Sequence, residues 1–325
     1  MSASSAGLPA LLALDWGTSS LRGWLMTESG QILKEYQSKH GILNLPEGGF
    51  AAVLEDLLDL WSLPVLPPAI ACGMVGSANG WAEAPYLSCP VSPDALATSL
   101  KPVQTGQGVL SIIPGVRDDG AVPDVMRGEE TQILGVLALR PDLADDVTIV
   151  LPGTHSKWAQ IHQGRIVGFR TFMTGELYAV LKAHSILGRF SAPERPSDAE
   201  SIMAFEDGVR TGASEDSVSS LLFSARSRVL AGRLSPAAVP DYLSGLLIGN
   251  EVYSGPRLKR GASHRTVLVG DDALCARYLR AFRLLGQPEP EVLGNTAPAG
   301  LMKIAHLAGL VPDGARSQPF SGVGA

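Results

Sequence analysis

The sequence predicts a two-lobed α/β protein in which one supersecondary unit is used twice. Three observations carry this reading. The first two are a pair of matching stretches: Leu11 to Leu33 reads LLALDWGTSSLRGWLMTESGQIL, and Thr148 to Val167 reads TIVLPGTHSKWAQIHQGRIV. Each is an apolar run that ends in a tight turn carrying Gly-Thr and a serine, Gly17-Thr18-Ser19 in one and Gly153-Thr154-His155-Ser156 in the other. A second strand-like run follows, then a polar turn ending in Gly30 or Gly164 and a third apolar run. The third observation is size. A chain of 325 residues, 45% hydrophobic and 18% charged, is about twice a usual domain and can bury two cores.

After the first meander, Phe50 to Trp61 places Phe50, Val53, Leu54, Leu57, Leu58 and Trp61 at helical spacing, with Glu55, Asp56 and Asp59 towards water. Pro64, Pro67 and Pro68 stop that helix. Ala69 to Cys72 then reads as a short buried strand that enters the loop CGMVGSANGW, whose Gly73, Gly76 and Gly80 suit close approach to a ligand. Gly128 to Leu139 reads as a helix connecting the lobes, with Glu129 and Glu130 in its first turn, where the helix dipole favours anions. The second lobe starts at about Asp146. Its meander leads to a helix over Gly175 to Leu187 and a polar surface connection over Ser191 to Glu200. Thr266 to Val269 is a buried strand meeting Gly270, and Leu274, Tyr278, Ala281, Phe282 and Leu285 mark the helix after it. A short strand at Glu291 to Leu293 and a helix from Ala299 to Leu307 complete the elements. The expected organisation is an N-terminal lobe over 1–140, completed by the helix around 299–312, a C-terminal lobe over 141–298 and a flexible tail over 313–325.

Composition removes several function classes. Net charge is −6 and no Lys/Arg cluster offers a counterion-releasing surface, which argues against nucleic-acid binding. The N-terminus lacks the basic start and apolar core of a signal peptide, and no apolar run approaches the roughly 20 residues that span a bilayer, so a cytoplasmic location is expected. Cys72, Cys89 and Cys275 are widely spaced and read as buried free thiols. There is no P-loop, no G-x-G-x-x-G after a strand, no G-x-S-x-G elbow and no H-E-x-x-H. A nucleotide must be held by something else.

The duplicated turn can do this. Asp15 ends the first strand directly before the Gly17-Thr18-Ser19 turn, where a carboxylate can orient the water shell of a phosphate-bound Mg2+. The amides and hydroxyls of the turn can donate to phosphate oxygens, and Arg22 can add a charge-assisted contact to a phosphoryl group or a substrate carboxylate. An Asx-type turn closing a hairpin would also produce one D-x-G-T; the second copy favours phosphate binding. In that copy Gly153 and Thr154 are the matching contacts, with His155, Ser156 and Lys157 as further donors near the site. Because Leu151-Pro152 stands where Asp15-Trp16 does, the second copy should bind phosphate without organising the metal. Two lobes gripping ATP through such turns define the actin/hexokinase class, with ribonuclease H-like duplicated domains and the nucleotide in the interlobe cleft. Arg127-Gly128-Glu129-Glu130 is the candidate acid/base cluster for a hydroxyl acceptor, with Asp124 as a further candidate base and Arg127 available to a substrate carboxylate. Glutamates at a helix start can equally serve the dipole alone.

These segments resemble the 2-dehydro-3-deoxygalactonokinase family, sugar-acid kinases of the hexokinase/actin superfamily, from Leu12 to about Ala308. The likeness rests on ALDWGTSSLRGWL, GMVGSANGWAEAPYLSCP, IIPG, DVMRGEETQILG, LPGTHSKW, FRTFMTGEL and SGLLIGNEV in that order. It implies transfer of the ATP γ-phosphoryl group to the terminal hydroxyl of 2-dehydro-3-deoxy-D-galactonate, giving a 6-phosphate for an aldolase in galactonate catabolism. It also implies phosphate motifs at Asp15 to Arg22 and Gly153 to Lys157, an adenosine-side strand at Val267 to Gly270, and a sugar-side loop at Gly76 to Trp81 with Ser77, Asn79 and Trp81 towards substrate. Gly270 is followed by Asp271 rather than the superfamily's second glycine, and Asp271 is a candidate nucleotide contact. By analogy with exopolyphosphatases, whose Gly-x-Glu-Glu segment carries the catalytic glutamate, Glu129 is the first choice of base and Glu130 the second.

The expected partners are therefore ATP with Mg2+ and a small sugar acid, with no nucleic acid and no membrane; the chain is compatible with a homodimer. Three alternatives stay open from sequence: a kinase of another 2-keto-3-deoxy sugar acid, an exopolyphosphatase-like phosphohydrolase, and a non-catalytic ATP sensor. The GSANGW loop argues against the phosphohydrolase, and the acidic cluster against the sensor.

Overall fold

Leu11 to Leu14 are buried on both faces of their strand, the pattern of a strand with neighbours on each side and layers above and below. A computed structural model, which describes residues 8–190, 196–258 and 265–312, places that run at the centre of a sheet. The chain divides into two units: one made of 8–144, 163–167 and 296–312, the other of 145–162 with the described part of 168–295. The expected tail over 313–325 lies outside the described residues. No helix among the described residues is long and apolar enough to cross a membrane.

In the first unit β1 (Pro9–Trp16), β2 (Leu21–Thr27) and β3 (Ile32–Ser38) form the antiparallel meander. Helix α1 (Gly49–Trp61) follows, and it packs Val53, Leu54, Leu57, Leu58 and Trp61 on the sheet against Leu12, Leu14 and Leu25. β4 (Ala69–Cys72) then pairs parallel to β1. After β5 (Tyr86–Ser88) and α2 (Pro93–Thr98), whose Ser92 cap accepts from the Ala95 N–H, the hairpin β6 (Lys101–Thr105) and β7 (Gly108–Ile112) closes the sheet, with β7 parallel to β4. The resulting order is β3-β2-β1-β4-β7-β6. β8 (Gly115–Asp118) and β9 (Asp124–Met126) join β5 in a small second sheet that leads directly into α3 (Glu129–Leu139).

The second unit repeats the plan. β10 (Asp146–Leu151), β11 (Ser156–His162) and β12 (Arg165–Phe172, its part from Gly168 on belonging to this unit) form its meander, followed by α4 (Thr174–His184), α5 (Asp198–Gly212), α6 (Val218–Leu222), α7 (Ser224–Leu230) and α8 (Val239–Ser254). β13 (Thr266–Val269) pairs parallel to β10, α9 (Asp272–Leu284) crosses over, and β14 (Glu291–Leu293) pairs parallel to β13. The order is β12-β11-β10-β13-β14. Counted within each unit, both sheets read third, second, first, fourth and then one further strand parallel to the fourth, β7 in the first unit and β14 in the second, the ribonuclease H-like arrangement of the actin/hexokinase class. The last helix, α10 (Ala297–Leu307), returns to the first unit and packs on α3.

Several expectations are corrected. The helix read as connecting the lobes, α3, belongs to the first unit; at the backbone contact with α10, a Cβ on Gly135 would sit 2.0 Å from the Thr296 carbonyl oxygen, and one on Gly300 1.9 Å from that of Thr131. The helix expected to reach Leu187 ends at His184, because the Ser185 hydroxyl donates back to the Leu181 carbonyl and accepts from the Leu187 N–H. Of the polar connection expected over 191–200, residues 191–195 lie outside the described residues, and the remainder starts a helix: the Ser197 hydroxyl caps α5 by accepting from the Glu200 N–H. Sequence periodicity assigns nothing between 201 and 265, yet α5 and α8 form the main helical layer of this unit. Neither helix reads as a single stripe, because both cross backbone to backbone through four glycines. A Cβ on Gly208 or Gly212 would lie 2.1 or 2.0 Å from the Tyr242 or Leu246 carbonyl oxygen, and one on Gly245 or Gly249 2.0 or 2.4 Å from that of Phe205 or Val209.

That crossing tolerates no side chain. Gly245→Val is expected to cost about 3 kcal/mol or more by overpacking. Thermal unfolding followed by circular dichroism should show a midpoint lower by several degrees; an unchanged midpoint would show that the helices can move apart freely.

Candidate active site

In the first unit the site grows from the carboxyl end of β1. The following turn is closed by the Gly17 N–H donating to the Ser20 carbonyl at 2.9 Å, and it leaves Thr18 and Ser19 exposed. Its back is held by a loop. The Trp16 indole donates to the His40 carbonyl (2.8 Å), and the N–H groups of Ile42 and Leu43 donate to the carbonyls of Gly17 and Thr18 (both 3.1 Å). Asp15 and Arg22 face each other across the β1–β2 ladder and form an ion pair at 2.5 Å. Arg22 is thus committed to Asp15 rather than standing apart from it.

β4 sets the next part. Asp15 is opposite Cys72, and Gly73 beyond it has φ +92° with its Cβ position 2.8 Å from the Trp16 carbonyl oxygen and 3.4 Å from Asp15 Oδ1. Only glycine suits that combination of left-handed backbone and close contact. Gly128, φ +107°, lies against it: a Cβ there would be 3.3 Å from Gly73 Cα. The start of α3 is therefore docked at the end of β4, beside Asp15.

The two glutamates of α3 differ sharply. Glu129 is half-buried, and its Oε2 accepts from the Arg127 N–H at 3.0 Å. Glu130 is 0% exposed; its Oε2 accepts from the Gly128 N–H at 2.7 Å and its Oε1 from the Thr131 hydroxyl at 3.0 Å. Burial, and then the charge of Glu129, pushes Glu130 up to about 8. The thiol of Cys72 is also pushed up, by burial and then by the charges of Asp15 and Glu130. Asp124 sits on β9, half-buried, with Oδ1 accepting from the Val125 N–H at 2.8 Å.

Arg127 is 8% exposed and lies 4.2 Å above the Tyr86 ring, with Nη2 donating to the Ala84 carbonyl at 2.8 Å and Nε to the Tyr86 hydroxyl at 3.4 Å. Its Nη1 is buried without a partner. A Cβ on Gly76 would be 3.0 Å from that nitrogen, so the unpartnered donor adjoins the loop that carries Ser77, Asn79 and Trp81. In that loop Ser77 donates to the Met74 carbonyl (2.7 Å), Asn79 is exposed, and Trp81 stacks on Phe50 (5.6 Å between centroids) and meets Trp16 edge-on. Trp81 is thus also a packing residue of the core.

In the second unit Gly153 and Thr154 line a cavity of about 350 Å³ with Thr174, Tyr178, Leu274 and Arg277 among the other walls. The Thr154 carbonyl accepts from the Glu176 N–H at 3.0 Å, and His155 pairs with the Glu176 carboxylate. Lys157 is 4% exposed, with Nζ donating to the His155 carbonyl at 3.3 Å. Gly270, φ +154°, ends β13 beside Pro152, its Cβ position 3.6 Å from the Pro152 carbonyl oxygen. Asp271 caps α9, its Oδ1 accepting from the N–H groups of Ala273 and Leu274. Two polar residues of this unit, Thr174 and Glu251, were not singled out in the sequence, and Tyr278 was read there only as a position of its helix. The signal available for Glu251 was a carboxylate inside the apolar run SGLLIGNEV.

Comparison with known proteins agrees along the length of the chain. The profile of the 2-keto-3-deoxy-galactonokinase family matches residues 15–304. The 2-dehydro-3-deoxygalactonokinase of Escherichia coli (strain K12) is 39% identical over 299 residues, 91% of this chain and 97% of that protein. A Rhizobium meliloti (strain 1021) protein provisionally given the same name, DgoK1, is 38% identical over 276 residues, 84% of this chain and 89% of its own. A crystal structure from Sinorhizobium meliloti, of a protein also provisionally named a 2-dehydro-3-deoxygalactonokinase, superimposes with a TM-score of 0.83 at 35% identity, covering 91% of this chain and 98% of the other.

Glu130 should mark itself in the pH dependence of stability. From its ordinary 4.5 up to about 8 the folded protein holds a proton that the unfolded chain releases. Stability from this group is complete below the lower value and is lost as pH rises to the upper one, by up to about 1.4 kcal/mol per pH unit. In Glu130→Gln the amide oxygen can still accept from Gly128 while this loss disappears. The unfolding midpoint of the wild type should therefore fall relative to the variant between pH 5 and 8, and parallel profiles would show that Glu130 is ionised in the fold.

Proposed function

The chain belongs to the 2-keto-3-deoxy-galactonokinase family, and on that premise we propose that it transfers the γ-phosphoryl group of ATP to the terminal hydroxyl of 2-dehydro-3-deoxy-D-galactonate. The observation that carries the acceptor side of this reading is the buried Nη1 of Arg127. A buried guanidinium N–H without a partner is costly, and an anion delivered to it removes that cost. The carboxylate of a sugar acid is such an anion, and it leaves the far hydroxyl of the substrate for chemistry. Ser77 and Asn79, on the loop that adjoins Arg127, are our candidates for the sugar hydroxyls.

In this reading Glu129 is the general base. It accepts the proton of the terminal hydroxyl as the oxygen forms its bond to phosphorus and the bond from phosphorus to the ADP oxygen breaks. Glu130 is poorly suited, since burial keeps it protonated near neutral pH and both of its oxygens hold the start of its own helix. Asp124 stays a second candidate, three residues before Arg127 on the same segment. In the first unit Thr18 and Ser19 offer hydroxyls to phosphate; in the second, Thr154 does so in a cavity that Gly153 also lines and where Tyr178 and Leu274 supply apolar surface for the nucleoside.

Mg2+ accompanies ATP in this proposal. Among the described residues no three His, Cys, Asp or Glu side chains gather into a metal-holding group. The donor set nevertheless fits, because Mg2+ that travels on nucleotide phosphates keeps most of its waters and needs only one or two carboxylates from the protein. Asp15 is that carboxylate, aligned by Arg22. When bound, the ion neutralises charge on the phosphates.

Two outcomes follow. Glu129→Gln should lower kcat by roughly 10²- to 10⁴-fold while ATP binding, measured by calorimetry, is retained; full activity would remove Glu129 from the mechanism. Arg127→Lys keeps the charge but loses the fork, and should raise KM for the sugar acid by about tenfold or more with KM for ATP little changed. A coupled assay over a panel of 2-keto-3-deoxy acids tests the substrate, and phosphate release from ATP without any acceptor would favour a phosphohydrolase.

A further inference from the structure

Glu251 has no place in the chemistry described so far, although it is the most enclosed carboxylate of the second unit at 1% exposure. It projects from α8 and accepts three hydrogen bonds. The Trp158 indole donates to Oε1 at 2.8 Å, and the hydroxyls of Thr174 and Tyr278 both donate to Oε2, the latter at 2.7 Å. The Ser156 hydroxyl lies 3.0 Å from the Tyr278 hydroxyl and also within hydrogen-bond reach of the Glu251 carboxylate. The Ser156 oxygen in turn accepts from the Gly153 N–H at 3.3 Å. One hydrogen-bonded network therefore joins the second phosphate turn, Ser156 and Tyr278 to the carboxylate.

The same carboxylate fixes the other side of that turn. Thr174 is the first residue of α4, and Gly175 behind it packs so closely that a Cβ would lie 2.5 Å from the Gly153 carbonyl oxygen. Gly153, Thr154, Thr174 and Tyr278 all line the cavity, while Glu251 is not among its walls. It touches the lining residues from behind.

We propose that Glu251 is the positioning residue of the nucleotide half of the reaction: it holds the Gly153-Thr154 turn and the start of α4 in the geometry that receives the phosphates. The inference rests on the ATP-dependent reading above. A carboxylate suits the task because it can accept from Trp158, Thr174 and Tyr278 at once, whereas an amide would place hydrogens against at least one of those donors. Ordinary buried hydrogen bonding would stabilise the fold without any link to one substrate. Positioning predicts that link.

The test is steady-state kinetics of the full chain with ATP and 2-dehydro-3-deoxy-D-galactonate. Glu251→Gln should raise KM for ATP by about tenfold or more and leave KM for the sugar acid within about twofold. Tyr278→Phe, which removes one hydroxyl of that network, should shift the same constant, and the double variant should be worse than Glu251→Gln by less than the two effects added, because both act on one network. If Glu251→Gln fails to fold, Trp158→Phe, which removes a donor to Glu251 that is not among the cavity walls, carries the test by the same selective rise. A KM for ATP that stays within about twofold in the variants, or that rises equally with KM for the sugar acid, overturns the inference while an active wild type preserves the kinase reading. A wild type without turnover would remove that reading and the inference with it.

Discussion

The parallel pairing of β1 with β4 governs the chemistry of the first unit. Its register sets Asp15 opposite Cys72, and so brings the end of one strand beside the glycine that leaves the other. Gly73 can hold its left-handed backbone against the Trp16 carbonyl, and the space beside its Cα is what admits Gly128. The acidic start of α3 is docked there as a consequence. A displaced register would move Asp15 to the other face of the sheet and separate it from Glu129 and Glu130, since side chains alternate along a strand.

The second unit uses the same sheet plan with other chemistry. Its β10–β13 pairing aligns Val150 with Leu268 and brings Gly270 beside Pro152, as Gly73 lies beside Trp16 in the first. There is no carboxylate at the end of β10. Its turn is braced instead from behind, by Glu251 on a helix almost a hundred residues further along the chain. Duplication thus conserves the backbone frame while the polar support is built separately in each copy. One copy carries its acid on the strand itself, and the other reaches for it across a buried network.

Much of this frame was legible. Continuous apolar runs ending in Gly-Thr turns announce both meanders, and the Phe50 to Trp61 stripe announces α1, because each depends on a period that a short window contains. The α5–α8 layer was not legible for the opposite reason. Its four glycines look like breakers along the chain, and only the crossing partner shows that they are the contact surface. The acidic cluster was half legible: Arg127, Glu129 and Glu130 could be picked out, but their sequence neighbourhood makes the two glutamates equivalent. Burial makes them different, leaving Glu129 half-buried and enclosing Glu130 completely.

By itself the sequence determined the duplicated α/β plan, the two Gly-Thr turns and the acidic start of α3, since these follow from local periodicity and residue type. Tertiary structure alone decided which of those groups are committed and to whom. Arg22 is spent on Asp15 because the β1–β2 register faces them, Trp81 packs on Trp16 and Phe50, and Arg127 keeps one buried N–H open beside the Gly76 loop. Glu251 acquires its three donors only when α8, α4, α9 and β11 meet. Protonation and pairing depend on distance through space and on exclusion of water, and neither quantity is written in the order of residues along a chain.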